Sequence, residues 1–377
     1  MNQEGFYRIA LIQLPGIGHL YAKLLTEYFK GAKALFQASE KDLECIPGVG
    51  KVLLSTLCNS TLKRAALKRA HQEFKFTQKH NIAIWFYDDE HYPEQLKSCN
   101  DSPYILYFKG TPFLNKNKIL AVVGTRKATA YGEDVTRRII EDLADHKIII
   151  VSGLAYGIDA YAHKFSLDNN MSTIGVLAHG LDKLYPQKNR ELARRMVQNG
   201  GLLTEFLSGS NPDRENFPKR NRIVAGMADA TLIVEATKKG GALITANIAH
   251  SYGRDVLAVP GRSIDVFSAG CNQLIKSNKA AKHMEIGRFY LKEKKFTAAL
   301  NRFKIVVEDY SITKFTPEAL HRIVEAYYEM GMIEEASKTA STLGYNYPNS
   351  SWYKYSYDLI KKNDQKKSIY KKITNFF

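Results

Sequence analysis

Short apolar runs alternate with helical patterns through the middle of the chain, between Lys118 and Ala281. The runs read ILAVVG, IIIVSG, IGVLAHG, LLTEF, TLIVEA and VLAVPG, and helical patterns such as those at 132–146 and 157–169 separate them. Because strands that alternate with helices form a parallel sheet covered on both faces, we predict an α/β fold here. Ligands of such sheets bind beyond the carboxyl ends of the strands, so the functional residues are expected at those ends.

The first 72 residues carry a helical pattern with two related pieces. LPGIGHLYAKLL starts at Leu14 and IPGVGKVLLSTL starts at Ile46, and in each a Pro-Gly-apolar-Gly turn precedes an amphipathic helix. Two glycines let the backbone approach a phosphate closely, and a helix start offers free N–H groups. The pieces resemble the helix-hairpin-helix element of DNA-binding proteins, although plain turns between packed helices fit the same pattern. An auxiliary DNA contact would involve Gly16, Gly18, Gly48 and Gly50.

Glycine and polar residues follow the first two core strands. Gly124 permits a tight anion-binding turn, and the Thr125 hydroxyl can donate a hydrogen bond to the anion. The Arg126 guanidinium can bind a phosphate through two parallel hydrogen bonds. Ser152 and Gly153 end the second strand. Since the carboxyl ends of parallel strands meet at one edge of the sheet, these residues are candidates for a single phosphate-binding site.

A second glycine loop, Lys239-Gly240-Gly241, leads into the helical pattern ALITANIAH. It lacks the GKS or GKT ending of a Walker loop, and the segment at Gly124 is not a GxGxxG fingerprint. Neither nucleotide hydrolysis nor a dinucleotide site is therefore predicted. The region offers several possible acids and bases but no convincing nucleophile and base set. Structural and catalytic roles remain equally open for Asp159, His163, His179, Asp182 and Glu205.

The segment FPKRNRIVAGM concentrates positive charge. We predict a short basic turn carrying Lys219, Arg220 and Arg222, followed at once by an apolar helix. Cations are unfavourable near the positive end of a helix dipole, so their presence indicates a bound polyanion. Two alternatives remain open, a solvated basic turn and an arginine that pairs with a buried acid such as Asp229 or Glu235.

Composition narrows the class of partner. The net charge of +16 over 377 residues points to an anionic partner, nucleic acid first and an acidic membrane surface second. The four cysteines are scattered without metal-binding spacing and fit a reducing compartment. The N-terminus does not have the pattern of a signal peptide, and no stretch approaches the roughly 18 apolar residues of a membrane span. We therefore expect a cytoplasmic protein without membrane contact, metal or other cofactor.

Six longer motifs occur in order along the chain. They read VVGTRKATAYG, VSGLAYGIDAYAH, HGLDKLYPQKNREL, FPKRNRIVAGMADATLIVEA, GGALITANIAHSYGRDVLAVPG and GCNQLIKSNKAA. Together they resemble the DNA-processing protein A family (DprA, also called Smf), and the similarity covers about Gly5 to Ala281. The resemblance implies an extended Rossmann fold that binds single-stranded DNA, forms a homodimer and loads the RecA recombinase during natural transformation. It also implies a phosphate loop and a basic site, formed by Gly124, Thr125, Arg126, Lys219, Arg220, Asn221 and Arg222.

This family is related to phosphoribohydrolases that cleave nucleoside monophosphates, whose PGGxGTxxE loop carries a catalytic Glu. The corresponding loop here reads KGGALITAN, with no acid after the glycines. We therefore predict a DNA-binding protein that is not an enzyme, in which Gly240 and Gly241 offer backbone N–H groups to the DNA. A nucleoside-monophosphate phosphoribohydrolase of the related fold is one alternative function.

After Ala281 the sequence changes character. KHMEIGRFYLKEKKFTAALNRFKIVVEDY and PEALHRIVEAYYEMGMIEEASKTASTLG form two helix-turn-helix units of a tetratricopeptide-like array. From His283 to Ile360 the chain closely resembles the C-terminal part of the outer-membrane assembly lipoprotein BamD, so an outer-membrane assembly scaffold is the second alternative function. A true fusion and a join of unrelated coding pieces are equally open. The predicted divisions are a helix-hairpin-helix-like domain (1–72), a Rossmann-like DNA-binding domain (73–281), a tetratricopeptide-like segment (282–360) and a basic tail (361–377).

Overall fold

The computed structural model describes residues 3–111 and 117–361. Beyond residue 361, the predicted basic tail lies outside the described residues. The chain divides into two compact units, one extending to Cys271 and the other starting at Asn272.

Six helices precede the sheet: α1 (Gln3–Leu11), α2 (His19–Tyr28), α3 (Ala32–Gln37), α4 (Glu40–Glu44), α5 (Lys51–Cys58) and α6 (Ser60–Lys79). The boundary predicted after residue 72 thus falls inside α6. Gly16 and Gly48, in the turns before α2 and α5, adopt the same left-handed backbone, with φ of 79° and 81°. That conformation favours glycine, because a side chain would strain it. Gly18 and Gly50 then occupy the N-cap positions of the two helices.

Eight strands form one sheet: β1 (Ala83–Phe86), β2 (Ile105–Gly110), β3 (Ile119–Val123), β4 (Ile149–Ser152), β5 (Thr173–Val176), β6 (Gly200–Thr204), β7 (Ala230–Ile233) and β8 (Asp255–Ala258). Their order across the sheet is β1-β2-β6-β5-β4-β3-β7-β8. The strands from β3 to β8 pair in parallel, which confirms the predicted α/β core. The sheet as a whole is mixed, because β2 pairs antiparallel with both β1 and β6.

Helices cover the central strands on both faces. Every residue of β4, β5 and β6 is buried, as expected of parallel strands in the middle of a sheet. Val122 and Ile150 from the sheet pack in one cluster with Ile140 and Ile158 from the helices. The helices of this part of the chain are α7 (Glu94–Lys97), α8 (Ala130–Leu143), α9 (Ile158–Asp168), α10 (Arg190–Gln198), α11 (Asn216–Met227) and α12 (Gly241–Ser251). Helix α13 (Ala269–Lys292) comes after β8 in the sequence.

The N-terminal helices share a hydrophobic core with the antiparallel end of the sheet. Ile9 and Leu25 from the helices belong to the same buried cluster as Tyr104 and Tyr107. Within this cluster the Tyr104 hydroxyl lies 2.6 Å from Thr26 Oγ1, so the polar end of the ring has a hydrogen-bond partner. The N-terminal helices and strands β1 and β2 therefore form one packed body.

The second unit is helical. It contains α13 from Asn272 onward, then α14 (Phe296–Asp309), α15 (Thr316–Glu329), α16 (Ile333–Asn346) and a last helix over residues 351–361. The helices approach closely through small residues: a Cβ on Gly287 would lie 2.5 Å from the Phe303 ring. This confirms the predicted C-terminal helical segment, although its predicted start after residue 281 falls inside α13. Among residues 3–111 and 117–361, no helix has the length and apolar content needed to cross a membrane.

Candidate nucleic-acid interface

A cavity of about 540 Å³ opens at the carboxyl ends of the parallel strands. It lies where the strand order reverses, because β3 has β4 on one side and β7 on the other. This is the ligand position expected of an open α/β sheet. The predicted site residues that line it are Gly124, Thr125, Arg126, Gly153, Arg220, Asn221, Gly240 and Gly241.

The loop after β3 is held tightly against its neighbours. The Thr125 N–H donates to the Glu235 carbonyl at 2.8 Å, and the Ile158 N–H donates to the Thr125 carbonyl at 3.2 Å. A Cβ on Gly124 would lie 2.5 Å from Ile158 Cγ1, so only glycine allows this approach. The loop fixes the backbone next to Arg126 while the Arg126 side chain stays exposed.

Arg126 brings an available positive charge to the cavity. Its guanidinium lies over the Phe217 ring, with Cζ 5.1 Å from the ring centroid. Among the described residues Arg126 forms no ion pair with a carboxylate. A cation–π contact orients a guanidinium but leaves its N–H groups free, so these donors can reach an anion.

Helix α11 corrects the prediction of a basic turn. The helix begins at Asn216, so Lys219, Arg220 and Arg222 all lie within it. Pro218 fits the first helical turn, where its missing N–H would have no intrahelical partner. Because successive residues of a helix point about 100° apart, the three cations face different directions instead of converging on one spot.

Arg220 lies buried in the cavity wall, at 5% exposure. Its Nη1 donates to the carbonyls of Gly153 and Val176, the latter at 2.7 Å, and its Nε donates to Asn221 Oδ1 at 3.0 Å. A Cβ on Gly153 would collide with the guanidinium, which explains the glycine at this strand end. Burial lowers the pKa of Arg220, and the negative charge of Asp159 opposes that shift.

Several predicted site residues lie apart from the cavity lining, among them Ser152 and Lys219. Ser152 is fully buried, and its hydroxyl donates to the Val122 carbonyl at 2.6 Å, which explains a polar residue inside a buried strand. Lys219 is exposed on α11 without lining the cavity. The glycines of the two N-terminal turns are also absent from the lining.

Arg222 connects α11 to the N-terminal helices. Its guanidinium donates to Glu205 Oε2 and to the Asp101 carbonyl, and the ion pair is largely buried. Glu205 Oε2 also lies 2.7 Å from His19 Nε2, and His19 Nδ1 accepts the Tyr104 N–H at 3.0 Å. The geometry favours the structural alternative for this arginine, with Glu205 as the buried acid.

The lining contains two charged residues that the sequence did not mark as DNA ligands. Arg214 is exposed and lies in the irregular segment before α11, where no periodicity identifies it. Its one sequence signal is its position, a few residues before FPKRNRIVAGM. Asp159 lies in the first turn of α9 and is only 7% exposed. The cavity lining thus combines exposed arginines with a buried carboxylate.

A smaller cavity adjoins the first and shares Arg126, Gly153 and Arg220 with it. Two tyrosines in its lining are unusually open to solvent, Tyr156 at 44% and Tyr185 at 47% exposure. Exposed aromatic rings are the side chains on which unpaired bases can stack.

The buried histidines of this region have structural contacts. His179 Nδ1 donates to the Gly180 carbonyl at 2.9 Å, and His179 Nε2 accepts the Tyr185 N–H at 3.2 Å. His163 Nδ1 lies 2.7 Å from Thr173 Oγ1. Burial lowers the pKa of His179, and it lowers the pKa of His163 to about 3, so both rings are neutral at pH 7. In the part of the chain that the structure describes, no cluster of three His, Cys, Asp or Glu side chains could hold a metal ion.

Comparison with known proteins gives a family match across the sheet. The family described as DNA recombination-mediator protein A matches residues 83–292. The DNA processing protein DprA of Bacillus subtilis is 35% identical over 238 residues, which are 61% of this chain and 80% of that protein. The X-ray structure of DNA processing protein A from Streptococcus pneumoniae aligns with a TM-score of 0.61 and 31% identity, covering 72% of this chain and 92% of that one.

The C-terminal segment matches a different group of proteins. The family described as Outer membrane lipoprotein matches residues 272–343. The outer membrane protein assembly factor BamD of Rickettsia prowazekii is 52% identical over 88 residues, which are 23% of this chain and 35% of that protein. These matches confirm both resemblances predicted from the sequence and are consistent with a fusion.

Proposed function

The chain belongs to the DNA recombination-mediator protein A family, and on that premise we propose that its cavity binds the phosphates of single-stranded DNA. The observation that carries the proposal is the set of cations at the cavity. Arg126 and Arg214 are exposed there, and Arg220 lies beneath them in the wall. Neither Arg126 nor Arg214 forms an ion pair within the described residues, so their charge is available to a polyanion.

Helix α12 adds backbone donors to the same cavity. Gly240 is its N-cap and Gly241 its first residue, and no side chain caps the helix. The first N–H groups of a helix lack intrahelical partners and carry the positive end of the helix dipole. They suit a phosphate that the arginines hold from the other side.

Two features support a single strand over a duplex. The phosphate cavity is recessed at the sheet edge, and the exposed rings of Tyr156 and Tyr185 lie in the adjoining cavity. Bases stack on aromatic side chains only when they are unpaired, and each stacked base contributes about 1–3 kcal/mol. A DNA-processing role in natural transformation, as the family resemblance implies, requires this preference.

The test is the binding of labelled oligo-dT and of a duplex of equal length, measured by fluorescence anisotropy over a series of salt concentrations. We expect tighter binding of the single strand. If two or three phosphates are neutralised, the slope of log K against log salt should lie between about −1.4 and −2.1. Equal affinity for the duplex, or a slope near zero, would contradict the proposal.

We extend the proposal to two protein partners that the family resemblance implies, the RecA recombinase and a second copy of this chain. A protein that delivers single strands to RecA should accelerate RecA assembly on DNA already covered by a single-strand binding protein. The rate of RecA filament assembly with and without the chain tests the interaction with RecA. The mass of the chain from analytical sedimentation tests whether it forms a dimer. Unchanged assembly rates would contradict the loading role.

The two alternative functions have less support. Helix α12 starts at the second glycine of KGGALITAN, and its first turn carries no acid to act as the catalytic Glu of a phosphoribohydrolase. An assembly scaffold would depend on the C-terminal segment, whose relative matches 23% of this chain. We therefore propose a DNA-binding protein without enzymatic activity, and an assay for nucleoside-monophosphate hydrolysis tests that statement.

A further inference from the structure

Asp159 is a carboxylate in a cavity that otherwise suits anions. It lines the cavity from the first turn of α9 and is buried, with 7% of its surface exposed. Its Oδ2 accepts the Ala155 N–H at 3.3 Å. Among the described residues it forms no ion pair, although Arg220 lies in the same cavity wall. A buried carboxylate without an ion pair is unfavourable, so its presence in this lining calls for a function.

The charges of the cavity lining differ between its buried and its exposed parts. Arg126 and Arg214 are exposed, whereas Asp159 and Arg220 are buried. Arg220 already donates to two carbonyl groups and to Asn221. Burial raises the pKa of Asp159, and the charges of Arg220 and Arg126 oppose that rise. An anion that the exposed arginines hold therefore also lies in a cavity whose wall carries the Asp159 carboxylate, and each further negative charge on that anion adds repulsion from it.

We propose that Asp159 is a specificity-determining residue, which makes the cavity favour singly charged phosphodiesters over doubly charged phosphomonoesters. The inference rests on the proposed function and names the substrate class of the same site, the internal phosphates of a strand. A phosphodiester carries one negative charge, whereas a phosphomonoester carries about −1.5 to −2 at pH 7. The additional charge is repelled by the carboxylate in a medium of low dielectric constant. Free nucleotides and phosphorylated strand ends are thereby disfavoured.

The experiment compares two small competitors that differ by one methyl group. Thymidine 5′-monophosphate and its methyl diester displace labelled oligo-dT that lacks terminal phosphates, and the ratio of their inhibition constants is measured at pH 7.5 and pH 5. Thymine does not titrate in this range, so the base contributes no pH effect. The variant is Asp159→Asn, which keeps a hydrogen-bond acceptor for the Ala155 N–H. The matched control is Asp168→Asn, which removes a carboxylate from the exposed end of the same helix.

In the unmodified protein at pH 7.5 the diester should bind about tenfold more tightly than the monoester. A factor of ten is the effect of a charge–charge interaction that would shift a pKa by about one unit. The ratio should fall towards one in Asp159→Asn and remain about tenfold in Asp168→Asn. At pH 5 it should fall in the unmodified protein too, because the second pKa of a phosphomonoester is about 6. This pH arm needs no variant, so it tests the charge preference of the cavity even if Asp159→Asn does not fold, and a ratio that is independent of pH overturns the inference by itself.

Three results would overturn the inference. The unmodified protein could prefer the monoester, the ratio could be the same in Asp159→Asn as in the unmodified protein, or it could be independent of pH. In each of these cases the oligonucleotide still binds, so the proposed function stands. Failure of oligo-dT to bind at all would overturn the proposed function and the inference with it.

Discussion

Replacing Arg126 with Ala is expected to weaken binding of single-stranded DNA by about 10- to 100-fold, the loss that corresponds to one hydrogen bond to a charged group. The slope of log K against log salt should become shallower by about 0.7, because one phosphate is no longer neutralised. The melting temperature should not change, since Arg126 is exposed and its described contact is the Phe217 ring.

Two control variants separate charge from geometry at this position. Arg126→Lys keeps the charge but should restore only part of the affinity, because an ammonium group cannot form two parallel hydrogen bonds to a phosphate. Lys127→Ala removes the neighbouring exposed charge, which does not line the cavity, and should have a much smaller effect. An unchanged salt slope for Arg126→Ala would remove this residue from the DNA site.

Replacing Arg222 with Ala should lower the stability of the protein and leave the salt dependence of DNA binding unchanged, the opposite of the result expected for Arg126→Ala. The free energy of unfolding should fall by about 3–5 kcal/mol, because removing one partner of a buried ion pair leaves the Glu205 carboxylate with His19 Nε2 as its remaining partner and without the charge of the arginine. The side chain also holds the Asp101 carbonyl. The salt slope of the protein that remains folded should be unchanged, since Arg222 does not line the cavity. Denaturant unfolding and the salt titration measure the two quantities.

The matched control for this prediction is Arg194→Ala. Arg194 pairs with Glu191 on the surface, where both side chains are about two-thirds exposed, at 67% and 69%. Exposed ion pairs contribute roughly 0–1 kcal/mol to stability, so the free energy of unfolding of this variant should be close to that of the unmodified protein. If Arg222→Ala were as stable as Arg194→Ala and had a shallower salt slope, Arg222 would belong to the DNA site after all.

The sequence predicts those parts of the site that follow from strand periodicity. Gly124, Thr125 and Arg126 come directly after an apolar run, and the carboxyl ends of parallel strands converge whatever the surrounding loops do. Their place in the cavity could therefore be inferred without coordinates. The glycine loop at Gly240 and Gly241 precedes a recognisable helix, and it lies in the same cavity for the same reason.

Tertiary packing decides what the sequence leaves open. The start of α11 is one case, because Pro218 and the cations that follow it read as a turn until the helix is seen to begin at Asn216. The partner of Arg222 is another, since Glu205 lies after β6 and meets α11 only in the folded sheet. Arg214 has no periodic context at all, so nothing in the sequence links it to Arg126.

The antiparallel end of the sheet has a consequence for synthesis on the ribosome. Strand β2 pairs with β6, and Tyr107 of β2 lies opposite Thr204 of β6. Because Thr204 is translated roughly a hundred residues after Tyr107, this pairing cannot form until then. At about 5–20 residues per second this delay lasts roughly 5–20 s. During that time the emerging N-terminal helices can pack on β1 and β2 through their shared core, but one edge of β2 has no neighbouring strand. An unpaired strand edge invites aggregation, so the nascent chain should need a chaperone most in this interval, before β6 has left the ribosome.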